Sequence, residues 1–313
     1  MKTVDLIVPC YNESEMIDIF YDTTKKIVSE IEGYSFNFIF IDDGSRDDTL
    51  KKVKNLASKH SNVKYIAFSR NFGKEAGMYA GLKASTGDRV AVIDADLQHP
   101  PELIKDMLYA IDEEGYDSCS ARRVSREGEP KIRSAFSRLF YKLINKMSEV
   151  EIIDGAVDFR MMTRQMVDAI LDLPEVQRFS KGIFCWVGFD TKWLPYKDVE
   201  RTIGTSSWSF WGLFKYAIDG MTSFSVTPLR VITVMGIIMF LLFLLCTVGI
   251  IIEAIVKGFG SGFATIMCAM LFIGAILELS IGILGEYLGR VYIETKKRPI
   301  YLVKTANIEK VEK

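Results

Sequence analysis

Between positions 231 and 252 the chain runs VITVMGIIMFLLFLLCTVGIII, without a charged residue. At about 1.5 Å per residue a helix of that length reaches roughly 33 Å, enough to cross the hydrocarbon core of a bilayer. This predicts a transmembrane helix, and a second apolar run over 258–284, carrying only Glu278, predicts another. The residues between them suffice only for a turn, so the spans at about 231–253 and 260–285 form a hairpin. Hydrophobic residues make up 49% of the chain, yet charged residues still reach 25% and mean hydropathy is only +0.15, so the apolar excess is local.

Basic residues near membrane ends favour the cytoplasmic side. Arg230 precedes the first span and Arg290, Lys296, Lys297 and Arg298 follow the second, whereas the turn holds only Lys257. Both termini are therefore expected in the cytoplasm, and the start MKTVDLIVPCYNE reads as part of the fold rather than a signal peptide. The five cysteines are scattered without CxxC or His-paired spacing, which fits a reducing compartment and no zinc site. A formal net charge of -1 gives no indication of a nucleic-acid partner, and none is expected.

The first hundred residues alternate short apolar runs with amphipathic segments, the βα rhythm of a parallel sheet. Strands are expected at 4–8, 36–41, 63–68 and 89–93, with helices at 15–31, 47–59, 74–84 and 102–114. Each strand ends in polar residues: Asn12 and Glu13, Asp42 and Asp43, Asn71, then Asp94 and Asp96. In open α/β sheets ligands bind beyond the carboxyl ends of the strands, so these groups converge on one crevice. A further helix is expected at 133–147, and an aromatic, amphipathic segment over 206–228 suits the headgroup layer.

Asp94 and Asp96 sit at i and i+2, so an ending strand turns both carboxylates to one side, where Mg²⁺ or Mn²⁺ can bind and keep positions open for phosphates. A bare DxD is as readily a helix cap, with Pro100, Pro101 and Glu102 as a helix start. The DDGS at 42–45 likewise reads either as a nucleoside-binding carboxylate pair or as an Asp-Gly turn. Between Arg122 and Lys146 eight basic residues face two acidic ones, a phosphate and membrane-surface signature. Its strongest phosphate candidates are Arg122, Arg123 and Arg126, which follow an expected fifth strand.

Taken together, VPCYNE at 8–13, IDDGSRDDT at 41–49, SRNFGKEAGMYAGL at 69–82, DADLQHPPE at 94–102, DGAVDFRMM at 154–162, QRFSKGIFCWVGF at 177–189 and GILGEYLGRVYIETKKRPIY at 282–301 form an ordered series. The chain resembles the inverting family 2 glycosyltransferases, in particular the polyprenyl-phosphate branch related to dolichyl-phosphate mannose synthase, and its last motif resembles the bacterial two-span members. The resemblance implies a Rossmann-like GT-A catalytic domain with a mostly parallel sheet over 1–205, a juxtamembrane segment over 206–228, two transmembrane helices over 229–290 and a cytoplasmic tail over 291–313.

The same resemblance implies that Pro9, Tyr11, Asn12, Glu13, Asp42, Asp43, Lys74, Asp94 and Arg201 bind the nucleotide sugar, Lys74 being equally readable as an exposed helix-start lysine. It implies that Asp94, Asp96 and Gln98 hold Mg²⁺ or Mn²⁺. Arg178 is expected to join Arg122, Arg123 and Arg126 on the lipid phosphate. Asp158 resembles the family's base or acceptor-orienting residue, and Arg160 could pair with it. The implied partners are a UDP-sugar donor, with glucose the leading sugar, a polyprenyl phosphate acceptor and the lipids of a bacterial plasma membrane. Oligomers, often tetramers, are also implied. Gly274, Gly282, Gly285 and Gly289 allow close helix approach, and Glu278 reads as facing a partner helix or another subunit. One departure stands out. Relatives carry Gly-x-Ser-Lys-aromatic where this chain has Gly204-Thr205-Ser206-Ser207-Trp208. The alternatives are an N-acetylhexosamine or modified pentose as the sugar, or a non-catalytic membrane scaffold.

Overall fold

The computed structural model describes residues 1–124, 145, 153, 155–196, 222, 225–257 and 262–308. Arg126, Arg201, all of the expected helix at 133–147 except Asn145, and most of the segment at 206–228 lie outside the described residues.

The expected strands form, and they run slightly longer or shorter than their apolar cores. They are β1 (Lys2–Cys10), β2 (Tyr34–Asp42), β3 (Val63–Phe68) and β4 (Arg89–Val92), alternating with α1 (Ile17–Val28), α2 (Thr49–Lys59), α3 (Lys74–Ala84) and α4 (Leu103–Asp112). Beyond these come β5 (Ser118–Arg123), β6 (Ala156–Thr163), α5 (Arg164–Leu171), α6 (Ser180–Trp186), β7 (Thr191–Tyr196), α7 (Thr227–Lys257), α8 (Phe263–Thr295) and β8 (Val303–Ala306). The sheet order is β7-β5-β6-β4-β1-β2-β3-β8. β4, β1, β2 and β3 are mutually parallel, while β6 runs against both β4 and β5, which makes β5 parallel to the central strands.

Helices cover both faces, as a parallel sheet of continuous apolar strands requires. On one side Phe38 and Phe40 pack under Phe20 of α1, Val53 of α2 and Met107 of α4; on the other Ile7, Ile39 and Val92 pack under α3, α5 and α6. α3 lies unusually close to the sheet, because a Cβ on its Gly81 would come within 2.1 Å of Ile7 Cγ2. That close seat brings the first turn of α3, which begins with Lys74, to the carboxyl edge of β1.

Two findings enlarge on the sequence reading at the C-terminal end. α8 continues to Thr295, beyond the expected end near 285: near its end Glu294 accepts hydrogen bonds from the Val176 and Gln177 amides, which follow α5, and earlier in the helix Tyr287 Oη donates to the Ser225 carbonyl, just before α7, at 2.5 Å. Within the segment read as a tail, β8 pairs antiparallel with β3 and closes that edge of the sheet. Hydropathy misses both, since Glu286, Arg290 and Glu294 end the apolar pattern without ending the helix.

α7 and α8 span 31 and 33 residues and touch one another. Large apolar side chains along them stay exposed, Leu245 at 73% and Leu288 at 69% among them. Among the described residues one segment, Phe272–Thr295, is long and apolar enough to cross a membrane.

Candidate active site

The antiparallel register of β4 and β6 builds the centre of the site. Val92 lies opposite Arg160, so continuing the pairing by two residues sets Asp94 opposite Asp158. Carboxylates 64 positions apart in sequence thus meet at one sheet edge. Lys74, at the start of α3, reaches between them: its Nζ lies 2.7 Å from Asp94 Oδ1 and 2.6 Å from Asp158 Oδ2.

The electrostatic consequences follow from that bridge. Burial opposes ionisation of Asp94, but the Lys74 ammonium and the His99 ring outweigh it and hold Asp94 well below the usual carboxylate range. Burial likewise opposes ionisation of Asp158, and the charges of Lys74 and, to a lesser extent, Lys181 again hold the carboxyl low. Burial alone would lower Lys74; Asp158 and Asp94 instead raise it above the ordinary lysine value. All three groups are therefore charged at neutral pH.

Asp96 turns to its own loop, its Oδ1 accepting from the Gln98 amide at 3.1 Å, with Leu97 at φ 55° forming the bend. Among the described residues no three His, Cys, Asp or Glu side chains form a ready-made metal cluster. The donor set still fits a hard divalent cation. Asp94, Asp96 and the side-chain carbonyl of Gln98 offer oxygen ligands, and Mg²⁺ or Mn²⁺ is commonly held by only one or two carboxylates with substrate phosphates completing its shell.

The residues expected to bind the nucleotide sugar are brought together by loop-to-loop bonds. The Asn12 amide donates to Ser45 Oγ, the Arg46 amide to Asn12 Oδ1, the Glu13 amide to Thr49 Oγ1 and the Ser14 amide to Asp47 Oδ2. These bonds tie the loop after β1 to the loop after β2. Asn12 adopts φ 55°, a left-handed conformation that asparagine tolerates, and Tyr11 stays exposed at the rim. Pro9 lies within β1, against Ile41 of β2. Asp42 is buried, accepts from the Ser45 amide and is raised by that burial. Asp43 uses both oxygens on the loop before α3, accepting from the Phe72 amide at 2.6 Å and the Gly73 amide at 2.9 Å. It thereby positions Lys74, which directly follows.

Of the residues expected to hold the lipid phosphate, Arg122 and Arg123 end β5, at the same edge as Asp94. Arg178 is placed differently. Its Nη1 and Nη2 donate to the Leu173 and Ile170 carbonyls at 3.0 Å each, and its guanidinium lies 4.6 Å from the Tyr79 ring centre. It secures the end of α5, whose last carbonyls otherwise lack partners. The pairing of Arg160 with Asp158 is not found. Arg160 is 2% exposed, lies 3.8 Å from the Phe184 ring centre and donates to Ser120 Oγ, and burial pushes its pKa down to about 10.

Two contributors escaped the sequence reading. His99 stacks on Phe159, joins Tyr196 Oη through Nδ1 at 2.8 Å and holds Nε2 3.7 Å from Asp94. The only signal for it was adjacency to the DxD. Glu75 accepts from the Ser180 amide at 3.0 Å and from the Ser180 hydroxyl, and burial pushes it up to about 7. Nothing in the sequence marks that contact, which spans 105 residues.

Residues 5–171 match the family described as Glycosyl transferase family 2. The chain is 48% identical over 306 residues to the putative glycosyltransferase CsbB of Bacillus subtilis, covering 97% of this chain and 92% of that one. It is 40% identical over 305 residues to the bactoprenol glucosyl transferase of Shigella phage SfX, covering 96% and 99%. Among solved structures, the mannosyltransferase PcManGT of Pyrobaculum calidifontis, in complex with GDP-Man and Mn²⁺, is similar at a TM-score of 0.48 and 17% identity, over 94% of this chain and 85% of that one. The chain belongs to glycosyl transferase family 2.

Proposed function

We propose that this membrane-anchored glycosyltransferase moves a sugar, glucose in the leading reading, from a UDP-sugar to undecaprenyl phosphate with inversion at the anomeric carbon. The observation that carries the reading is the Asp94–Lys74–Asp158 bridge, set at one sheet edge beside Arg122 and Arg123. The near-full-length similarity to a bactoprenol glucosyl transferase supports the lipid acceptor. In this reading α7 and α8 both cross the bilayer, and the catalytic domain and both termini face the cytoplasm.

The acceptor phosphate needs little help to become a nucleophile, since a phosphate monoester loses its second proton near pH 6. Asp158 is a weak base because Lys74 neutralises it, so its role is to orient Lys74 and the acceptor. Arg122 and Arg123 hold the lipid phosphate in line with the anomeric carbon, supplying proximity and charge neutralisation. The loops tied together by Asn12, Ser45 and Arg46 seat the nucleoside, with Glu13, Asp42 and Asp43 around it. A divalent cation on Asp94, Asp96 and Gln98 would offset charge on the departing diphosphate. In-line attack then forms the phosphate–sugar bond as the bond to UDP breaks, which inverts the configuration.

Incubating the detergent-purified protein with undecaprenyl phosphate, Mn²⁺ and separate UDP-glucose, UDP-GlcNAc and UDP-galactose identifies the donor by UDP release. Release with UDP-glucose alone supports the proposal; faster release with another sugar replaces glucose in it. No lipid-dependent release with any donor favours the scaffold alternative.

A further inference from the structure

A cavity of about 1280 Å³ opens where α8 ends. Its walls are the far half of α3, the loop at 174–176 and the segment that returns from α8 into β8, and none of Lys74, Asp94, Asp96 or Asp158 lines it. Lys297 adopts φ 48°, with its amide donating to the Glu294 carbonyl at 3.2 Å, so the chain turns sharply off the helix. That turn delivers Lys297 and Arg298 to the cavity, where Lys83 and Lys304 also line the wall. Among the described residues none of the four makes an ion pair.

The two carboxyl groups in the lining are in different states. Glu294 is satisfied by the Val176 and Gln177 amides. Glu175 keeps one oxygen buried and without a partner, and a buried acceptor without a donor is costly. A matching ligand therefore brings an anion for the cations and a donor for Glu175. Its level is set by α8: basic residues directly after a membrane helix stand at the headgroup layer, where they attract anionic lipid. Pro174, Val176 and Ile300 give the cavity an apolar side suited to the glycerol backbone and first acyl carbons.

We propose that this cavity binds the headgroup of an anionic glycerophospholipid, its phosphate held by Lys83, Lys297, Arg298 and Lys304 and a headgroup hydroxyl donating to Glu175. The proposal rests on α8 lying in the membrane, as read above, and not on the transfer reaction. Its site is separate from the lipid phosphate site at Arg122 and Arg123.

Native mass spectrometry of the full chain in detergent, titrated with dioleoyl-phosphatidylglycerol or dioleoyl-phosphatidylcholine, tests it. The wild type is expected to retain one phosphatidylglycerol at least tenfold more strongly than phosphatidylcholine. The Lys83→Gln/Lys297→Gln/Arg298→Gln variant is expected to lose that preference, single Lys83→Gln and Arg298→Gln variants to weaken it in part, and Arg122→Gln/Arg123→Gln to keep it. Equal retention by the triple variant, or loss only in the Arg122/Arg123 variant, overturns the proposal. Displacement of the lipid by millimolar inorganic phosphate overturns it too, in favour of a soluble phosphate ligand. Partition of the protein into a detergent phase reports separately on membrane insertion, so a wild type that shows no lipid preference while its partition is intact counts against the cavity alone.

Discussion

Asp94 and Asp158 share one ammonium group, that of Lys74, at 2.7 and 2.6 Å. The bridge keeps two half-buried carboxylates ionised side by side, which without a cation between them costs several kcal/mol.

Lys74→Met removes the shared charge while keeping the length of the stem. The two carboxylates then repel each other and Asp158 takes up a proton more readily. The expected loss is about 10²–10³ in kcat, the scale of removing one well-placed electrostatic group. Steady-state UDP release measures it. A loss under threefold would show that the bridge is dispensable.

Asp158→Asn separates orientation from base catalysis. If Asp158 orients, kcat falls while the acidic limb of the pH–rate profile stays near pH 6, where the acceptor phosphate ionises. If that limb disappears in the variant, Asp158 is the titrating base and the mechanism above is wrong.

Glu75 links stability to pH. Its carboxyl titrates at about 7 in the folded state against 4.5 as a free side chain. Between those values the folded chain binds a proton that the unfolded chain does not, so stability falls as pH rises from about 4.5 through 7 and levels off above. For a side chain that keeps some solvent contact the span is on the order of 1–3 kcal/mol. Glu75→Gln is expected to flatten this slope, as read from thermal unfolding midpoints at pH 5, 6, 7 and 8. An unchanged slope would place the titrating group elsewhere.

Gly81→Ala tests the close seat of α3. The new methyl meets Ile7 Cγ2 at 2.1 Å, so helix or strand must shift, an overpacking cost of about 1–3 kcal/mol. Because Lys74 rides on the same helix, activity is expected to fall along with the unfolding midpoint. Adding Ile7→Val, which trims the opposing side chain, restores part of both.

The parallel core was legible because its signal is local. Apolar runs mark β1 to β4, and polar residues at their ends mark the crevice. The DxD and the two arginines that end β5 were likewise visible as patterns. What escaped depends on long-range pairing. The β4–β6 register that sets Asp158 opposite Asp94, the Ser180 contact of Glu75 and the pairing of β8 with β3 join segments 64, 105 and more than 200 residues apart, and no periodicity records them. Arg178 likewise shows a role that no pattern records, since its described hydrogen bonds go to the Leu173 and Ile170 carbonyls.

Transfer of a sugar to a lipid phosphate is tested by following the sugar itself. Purified protein is incubated with UDP-[¹⁴C]glucose, undecaprenyl phosphate and Mn²⁺, and the label entering the organic phase is compared with that from Asp96→Asn. The account predicts label in an acid-labile lipid product that requires undecaprenyl phosphate and is lost in the variant. Label confined to the aqueous phase, with UDP released at the same rate in the presence and absence of the lipid, would contradict it.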